Sequence, residues 1–208
     1  MKADDREEEG AFGRLRRARS AFREMLGAIR EDHAHIRRLQ QKYSGRMATE
    51  DELAPDLVRQ VGFQIMASYR VMRLFSRAGI PVAPKIASRM IRHLYGSDIH
   101  WDAELSPGVM IVHGMGLAVS HAARIGHGVL LNQNVTIGMG IHPDTRAVGA
   151  PTLEEDVHVG AGATLIGPIT IGAGSKIMPG CVVVRSVPPR SIVEAPTPIV
   201  RPRSQGPA

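Results

Sequence analysis

The chain has 208 residues and a formal net charge of +6, with 43% hydrophobic and 22% charged residues. That balance is typical of a globular protein long enough for one sizeable core or two small units. The single cysteine, Cys181, excludes a disulfide framework within the chain, and no apolar run approaches the length of a membrane span. The acidic N-terminal segment predicts no signal peptide, so we expect a cytoplasmic protein without a membrane partner.

The basic charge, with a sequence pI near 10.1, raises nucleic acid as a partner. The basic residues are, however, spread along helical stretches and mixed with acids, as in RLRRARSAFR at 14–23. No block of Lys and Arg is interleaved with aromatic residues. A basic surface equally suits a polyanionic small molecule such as a CoA thioester, so nucleic acid is not expected as the main partner.

Residues 1–96 are predicted to form a helical oligomerisation domain. Apolar residues recur at steps of three and four over 12–29, which predicts a first helix ending near Tyr43. A second helix is expected over 55–78, and a short third one after Pro84. Because two long amphipathic helices have little other chain to cover them, we expect this domain to bury a face against another subunit.

A different period takes over in residues 97–188, where aliphatic residues recur at every sixth position. These aliphatic positions are Ile99, Leu105, Ile111, Ile125, Leu131, Ile137, Leu153, Val159, Leu165, Ile171, Ile177 and Val183. The period is the signature of a parallel β-helix, in which three units make one triangular coil of about 18 residues. We therefore predict an α+β fold: the helical domain, then a left-handed parallel β-helix of about five coils, then a Pro-rich extended tail over 189–208.

The six-residue period is broken twice. The stretch from Ile111 to Ile125 holds two extra residues, which predicts a bulge beside His113. A longer insertion predicts a loop over 141–151 that leaves the prism and suits a site. Because the interior is aliphatic, polar side chains point outward and a site forms between neighbouring copies of the prism, which makes a homotrimer the natural functional unit.

His113 is the candidate general base, because an imidazole that titrates near neutral pH can take a proton from a hydroxyl. Such a base needs an orienting carboxylate, and this stretch offers Asp98 and Asp102. The spacing leaves the choice open, since Asp98 lies three residues short of a full coil before His113. Each residue also has a structural interpretation, His113 as an exposed corner residue and Asp98 as a cap of the first coil.

The motifs around these residues resemble those of serine O-acetyltransferases in the hexapeptide-repeat acyltransferase superfamily. Where that family carries DIHP, LDH-x-TG, VIGETA and Q-x-VTLGG motifs, the chain reads DIH at 98–100, IVHG at 111–114, AVSHA at 118–122 and QNVTIG at 133–138. GFQIMASYR at 62–70 also resembles the family's GFHALQAYR segment. The resemblance covers about residues 55–203.

The resemblance implies an acetyl-CoA-dependent O-acetyltransferase that transfers directly to an acceptor hydroxyl, with His113 as general base and Asp98 as its partner. It also implies a homotrimer, and it permits a dimer of trimers through the helical domain. No metal is expected. The family's CoA site lies between adjacent prisms and would be lined here by Gly140, Ala161, Gly162, Lys176 and Pro196.

The chain departs from the family at positions that serve the amino-acid acceptor. Val112 replaces an acid before the catalytic histidine, Ala150 replaces a histidine after the loop, and GRMATED at 45–51 replaces an RDP motif. Because the desolvated charges of free serine need polar partners, we expect a different acceptor, such as a modified amino acid or a natural-product hydroxyl. The candidate acceptor-binding residues are Val112, His121, Gln133, His142 and Ala150.

Three alternatives stay open. A sugar or polysaccharide O-acetyltransferase would use the same chemistry, whereas a zinc-binding hydratase would recruit His113, His121 and His142. An inactive scaffold kept for its helical domain is compatible with the missing acceptor residues. Among the remaining polar residues, His100 is expected to make a structural hydrogen bond and Cys181 to pack inertly.

Overall fold

The computed structural model describes residues 3–44, 53–80, 82–197 and 199. The GRMATED segment, on which part of the acceptor expectation depends, lies outside the described residues. Within them, no helix combines the length and apolar character needed to cross a membrane. The N-terminal half consists of four helices, α1 (Ala3–Ser44), α2 (Leu53–Arg59), α3 (Val61–Arg77) and α4 (Val82–Tyr95).

The C-terminal half is a parallel β-helix with three faces, each a stack of short hydrogen-bonded strands. The first face contains β1 (Asp98–Ile99), β4 (Ala118–Val119), β7 (Thr136–Gly138), β12 (Thr164–Ile166) and β15 (Val182–Val183). The second face contains β2 (Glu104–Leu105), β5 (Arg124–Ile125), β10 (Thr152–Leu153) and β13 (Thr170–Ile171). The third face contains β3 (Met110–Ile111), β6 (Leu130–Leu131), β11 (His158–Val159), β14 (Lys176–Ile177) and β16 (Ile192–Val193). A separate antiparallel hairpin is formed by β8 (Gly140–Ile141) and β9 (Val148–Gly149).

The aliphatic residues of the six-residue period point into the prism, as predicted. All twelve are buried, and so is Val119, a further inward residue that the period did not include. The strand register stacks these residues along the prism axis, as Ile99 on Val119 and Val119 on Ile137. A second buried row lies two positions earlier in each unit and includes the fully buried Val109 and Val129. Because burying one such side chain stabilises by about 1.5–3 kcal/mol, these columns are the main source of stability.

Both breaks in the period are local departures from the coil. Ile111 and Val119 are successive inward residues eight positions apart, whereas Leu131 and Ile137 in the next coil are six apart. The two extra residues therefore lengthen the turn between β3 and β4. The longer insertion is the ordered β8–β9 hairpin rather than an irregular loop.

Helix α1 docks on the β-helix through a buried ion pair. Asp32 is fully buried and accepts hydrogen bonds from Arg70 Nε and Nη2 at 2.9 and 3.0 Å and from the amide of Gly108 at 2.8 Å. Arg70 also donates to the carbonyls of Leu105 and Ser106 at 2.7 and 2.8 Å. A buried charge is tolerated only with such partners, so this network fixes the position of α1 and α3 on the first coil.

Helix α3 also packs against the turn that carries His113. A Cβ atom built on Gly62 would lie 1.9 Å from the carbonyl oxygen of Ile111. A Cβ atom built on Gly114 would lie 2.5 Å from Ile65 Cδ1. The absence of a side chain at Gly62 lets the two backbones approach closely, and its absence at Gly114 leaves room for the Ile65 side chain.

Two predictions of extent need correction. The second helix, predicted over 55–78, is broken at Gln60, whose φ of −109° and ψ of 102° are extended rather than helical. The β-helix continues past residue 188, because β16 pairs with β14. Pro188 and Pro189 do not end the coil, because they lie in the turn between the second and third faces, where the strand ladder requires no amide hydrogen.

Candidate active site

His113 occupies the lengthened turn between β3 and β4. Its backbone has a φ of 64°, the left-handed region that few non-glycine residues adopt, and Gly114 and Gly116 follow with φ values of 67° and 72°. This run of left-handed residues leaves the imidazole exposed on the turn rather than packed in the prism. Unusual backbone conformations of this kind cluster at functional sites, so His113 remains the candidate base.

Asp98 begins the first strand of the β-helix, beside this turn. The hydroxyl of Ser97 donates to the carbonyl of Gly114 at 2.6 Å, so the residue before Asp98 contacts the residue after His113. The Asp98 carboxylate accepts a hydrogen bond from Arg92 Nη2 through Oδ1 at 2.7 Å. Within the described residues, Asp98 and His113 share no hydrogen bond, so the two segments meet without joining the two side chains.

His113 lies on the edge between the third and first faces. We call this edge the His113 corner, formed by residues 112–117, 132–135, 160–163 and 178–181. Backbone hydrogen bonds stack its turns, as between Gly162 N and Gln133 O at 3.0 Å and between Gly180 N and Ala161 O at 2.9 Å. The predicted site residues Gln133, Ala161 and Gly162 therefore follow His113 in line along the prism axis.

Two features of the His113 corner are open to a ligand. The Oε1 atom of Gln133 is buried and accepts no hydrogen bond from any described residue. An unsatisfied buried acceptor costs about 1–3 kcal/mol, so a donor from a ligand or a neighbouring copy would be stabilising there. A Cβ atom built on Gly162 would meet no atom within 4 Å, so this backbone faces open space.

Other predicted residues lie on the edge between the first and second faces. We call this edge the hairpin corner, formed by residues 100–103, 120–123, 138–151 and 166–169. A Cβ atom built on Gly140 would lie 2.3 Å from Ile166 Cγ2, so the neck of the hairpin rests directly on the next coil. His142 starts the hairpin tip, and Ala150 is partly buried where the chain returns to the prism.

His121 belongs to a cluster of rings on the hairpin corner. The His100 ring stacks on Trp101 with centroids 4.1 Å apart, and His121 meets His100 edge-on at 5.5 Å. His100 Nδ1 accepts the amide hydrogen of Asp102 at 3.1 Å, which is the structural hydrogen bond expected from the sequence. Burial lowers the pKa of His100 below its ordinary value; Asp102 opposes this shift and His121 adds to it. The cluster therefore favours a neutral His100.

The remaining predicted residues lie near these corners. Lys176 is exposed on the third face, where its strand-register partner is His158. Pro196 is exposed and follows β16, whose end leads toward the His113 corner. Val112 is half-buried at the start of the His113 turn, and its amide donates to the carbonyl of Leu131 at 2.8 Å.

The predicted site residues therefore divide between two corners of one prism. The strands of the first face separate the His113 corner from the hairpin corner, so a single chain does not bring the two groups together. His113 is also separated in this way from His121 and His142, the other two histidines of the zinc alternative. In the part of the chain that is described, no group of three His, Cys, Asp or Glu side chains is placed to hold a metal ion.

Two arginines that bind acidic residues near the candidate site were not predicted from the sequence. The side chain of Arg92 reaches Asp98 from the last turn of α4, and its basic character six residues before the strand was a usable signal. Arg185 pairs with Asp144 of the hairpin across 41 residues. No local pattern in the sequence indicates that second pairing, because it depends on how the insertion lies on later coils.

Known proteins with similar sequences carry the same hexapeptide repeats or are serine acetyltransferases. The bacterial transferase hexapeptide (six repeats) family model matches residues 150–185. Serine acetyltransferase from Synechococcus elongatus is 40% identical over 128 residues, which cover 61% of this chain and 51% of that protein. The chain is a hexapeptide-repeat protein that resembles serine acetyltransferases. Serine acetyltransferase from Escherichia coli is 31% identical over 144 residues, which cover 68% of this chain and 51% of that protein.

Solved structures show the same architecture. The crystal structure of Neisseria gonorrhoeae serine acetyltransferase in complex with serine matches with a TM-score of 0.71 and 25% identity, covering 89% of this chain and 73% of that one. The predicted fold class, a helical region followed by a left-handed parallel β-helix, is thereby confirmed. The chain spans about half the length of the curated relatives it matches.

Proposed function

We propose that the chain is an acetyl-CoA-dependent O-acetyltransferase that uses His113 as its general base. The observation that carries the proposal is the exposed His113 imidazole on a lengthened, left-handed turn, held beside the segment that carries Asp98. The serine acetyltransferases that resemble the chain support the same reaction class.

In this reaction the acceptor hydroxyl gives its proton to His113 while its oxygen attacks the thioester carbonyl of acetyl-CoA. The new C–O bond forms first, and collapse of the tetrahedral intermediate breaks the C–S bond. The imidazolium then returns the proton to the departing thiolate, which leaves as CoA. The acetyl group passes directly to the acceptor, so no covalent enzyme intermediate forms.

Asp98 would orient the His113 ring and stabilise the imidazolium, as a carboxylate does in hydrolase triads. Arg92 occupies only Oδ1 of this carboxylate, which leaves Oδ2 available to the imidazole. This role requires the His113 side chain to turn toward β1, and the hydrogen bond from Ser97 to Gly114 keeps the two segments adjacent.

The CoA thioester would run along the His113 corner past Ala161 and Gly162. The open space at Gly162 supports close approach of the pantetheine chain to the backbone. The Gly162 amide and the Ala161 carbonyl already bond within the corner, so other groups would make the polar contacts. Lys176 is exposed and would bind the phosphates of CoA. Pro196 would cover the pantetheine chain from the C-terminal side of the protein.

The division of the site between two corners favours a homotrimer. In this arrangement the His113 corner of one copy meets the hairpin corner of the next, which brings Gly140 and His142 to the reaction centre. Exposed apolar side chains on both corners support the contact: Met115 on the first, and Ile141 and Val148 on the second. Because different patches meet, the contact is heterologous, and a rotation of about 120° between copies closes it into a ring of three.

Helix α4 supports a second contact, between trimers. It exposes an apolar stripe at every fourth position, formed by Val82, Ile86, Met90 and Leu94. A stripe of this width on one helix is buried when it packs on a second copy of the domain. The mass of the protein in solution, measured by light scattering, distinguishes a trimer from a dimer of trimers.

The relatives favour L-serine as the acceptor, since their names specify serine and one matching structure binds it. They give no support to the sequence-based expectation of a different acceptor. One observation favours the second candidate, an acceptor other than serine. Val112 and Ala150 present apolar surface on the two corners of the proposed site. Both candidates use the same acetyl transfer. They differ in whether other residues supply the polar contacts that free serine needs, or the acceptor has an apolar group at Val112 and Ala150.

An acceptor panel tests the proposal. CoA release from acetyl-CoA is measured with L-serine, D-serine, N-acetylserine and a hexose, and the acetylated product is identified by mass spectrometry. A kcat/KM for L-serine of about 10⁴ M⁻¹s⁻¹ or above supports serine. A markedly higher value for another hydroxyl supports the second candidate. If acetyl-CoA binds but no acceptor in the panel increases CoA release, the proposal is contradicted. CoA release without any acetylated product contradicts it as well.

A further inference from the structure

The β8–β9 hairpin has little support from its own strands. Its ladder contains only two residue pairs, Gly140 with Gly149 and Ile141 with Val148. The side chains of Ile141 and Val148 are exposed, so neither strand buries an apolar face within one chain. A two-stranded hairpin of this size is at best marginally stable alone, so contacts beyond the ladder must hold it in place.

The hairpin tip is organised around His142. Its Nδ1 accepts the amide hydrogens of Asp144 and Thr145, each at 3.3 Å, and its own amide donates to the carbonyl of Ala147 at 2.8 Å. The amide of Arg146 donates to the His142 carbonyl at 3.0 Å. The position of the His142 ring is therefore coupled to the position of Asp144.

Arg185 binds Asp144 from the far end of the prism. Its Nε donates to Oδ2 at 3.0 Å and its Nη2 to Oδ1 at 3.1 Å, so both carboxylate oxygens are engaged. Paired hydrogen bonds of this type are the geometry in which an exposed ion pair contributes most. Arg185 follows β15 in the last part of the prism, whereas the hairpin projects from the prism directly after β7. The pair thus ties the insertion to a coil distant in sequence.

The hydrogen bonds from Arg185 lower the pKa of Asp144 below its ordinary value, and Asp144 raises that of Arg185. Both groups are therefore charged throughout the neutral range. The contact would weaken with added salt, because both side chains are exposed.

We propose that Arg185 is a positioning residue, which clasps the hairpin through Asp144 and so holds His142 and the glycine neck where the acyl-transfer site needs them. The inference rests on the proposed function, because it assigns the hairpin to that site, with His142 on the acceptor side and Gly140 on the CoA side. Arg185 touches neither substrate in this account. It acts by limiting how often the hairpin leaves the prism.

The test uses three variants and one matched control. Arg185→Ala removes the clasp, Asp144→Asn removes its charge, and the double variant Arg185→Asp with Asp144→Arg restores a pair of reversed polarity. Arg124→Ala is the control, because Arg124 forms an equally exposed ion pair with Glu104 on the second face, and neither residue belongs to the two corners. Amide hydrogen exchange over 140–149 reports hairpin opening, and steady-state kinetics report the site.

Arg185→Ala and Asp144→Asn are expected to speed exchange in the hairpin about fivefold and to raise KM for the acceptor by a similar factor, with kcat within about twofold of the wild type. The reversed pair is expected to restore both, and Arg124→Ala to change neither. Unchanged exchange in Arg185→Ala overturns the inference, as does faster exchange with an unchanged KM. A wild-type protein without transferase activity contradicts the proposed function instead, and the exchange measurement then decides whether the clasp exists.

Discussion

Arg92 binds the Asp98 carboxylate through Oδ1 at 2.7 Å, and Oδ2 has no hydrogen-bond donor among the described residues. If that free oxygen serves His113, Asp98→Asn keeps the shape of the side chain but loses the charge that stabilises the imidazolium. We expect kcat to fall by about 10²-fold or more, with KM for acetyl-CoA little changed. Asp102→Asn is the control, because Asp102 is exposed and was the other acid that the sequence left open. An equal loss in both variants would remove Asp98 from its proposed role.

The buried pair of Asp32 and Arg70 predicts a large stability effect. Asp32→Ala leaves the Arg70 guanidinium buried without its carboxylate, so the free energy of unfolding is expected to fall by about 3–5 kcal/mol. Urea denaturation followed by circular dichroism measures the change. The double variant Asp32→Leu with Arg70→Met removes both charges and is expected to be less destabilised than Asp32→Ala. A larger loss in the double variant would show that the carbonyl contacts of Arg70 outweigh its charge pairing.

Gly62 and Gly27 both lie within helices, but a side chain at each position would meet different surroundings. A Cβ atom on Gly62 would collide with the carbonyl oxygen of Ile111, so Gly62→Ala is expected to destabilise by about 1–3 kcal/mol and to displace the His113 turn. A Cβ atom on Gly27 meets nothing within 4 Å, so Gly27→Ala should stabilise by about 0.5–1 kcal/mol through helix propensity. Thermal unfolding of both variants measures the difference, and a neutral Gly62→Ala would refute the close approach of α3.

Stability is expected to fall in acid because of histidines between α1 and the β-helix. Burial lowers the pKa of His35 below 6.5, with Arg38 and His127 adding to this shift and Asp156 opposing it. Burial also lowers the pKa of His158, with Lys176 and Lys42 adding and Asp156 opposing. The unfolded chain therefore takes up protons below about pH 6.5 that the folded chain resists. The free energy of unfolding falls as the pH drops from about 6.5 through the lower folded pKa values.

Denaturation at about pH 7.5 and about pH 5.5 measures this dependence. His158→Gln cannot be protonated and should show a smaller loss between the two pH values than the wild type. His93→Gln is the control, because His93 is exposed on α4, away from this seam. Equal losses in the wild type and His158→Gln would contradict the assignment to His158.

Much of the β-helix could be predicted from the sequence because its period is set by burial. The inward positions of the prism need aliphatic side chains, so the six-residue period that begins at Ile99 indicates the register of the coils. The insertions were visible as breaks in that register. The helix break at Gln60 carried no such signal, because propensity and apolar spacing continue through it and tertiary packing decides the backbone there.

The candidate site was predictable in its residues but not in its connections. The odd spacing around His113 marked the lengthened turn, and the structure gives it a left-handed backbone. The pairing of Asp98 with Arg92, rather than with His113, depends on where the last turn of α4 lies relative to β1. The division of the site between two corners likewise follows from the closed coil, which a linear motif does not display.

The role of His113 as general base is tested most directly by acetyl transfer in His113→Ala. CoA release from acetyl-CoA and L-serine is measured for the wild type, His113→Ala and the control His93→Ala, with light scattering to confirm that assembly is unchanged. His113→Ala is expected to lose about 10²-fold or more in kcat, while His93→Ala keeps the wild-type rate. Wild-type turnover by a correctly assembled His113→Ala protein would contradict the role of His113 as general base.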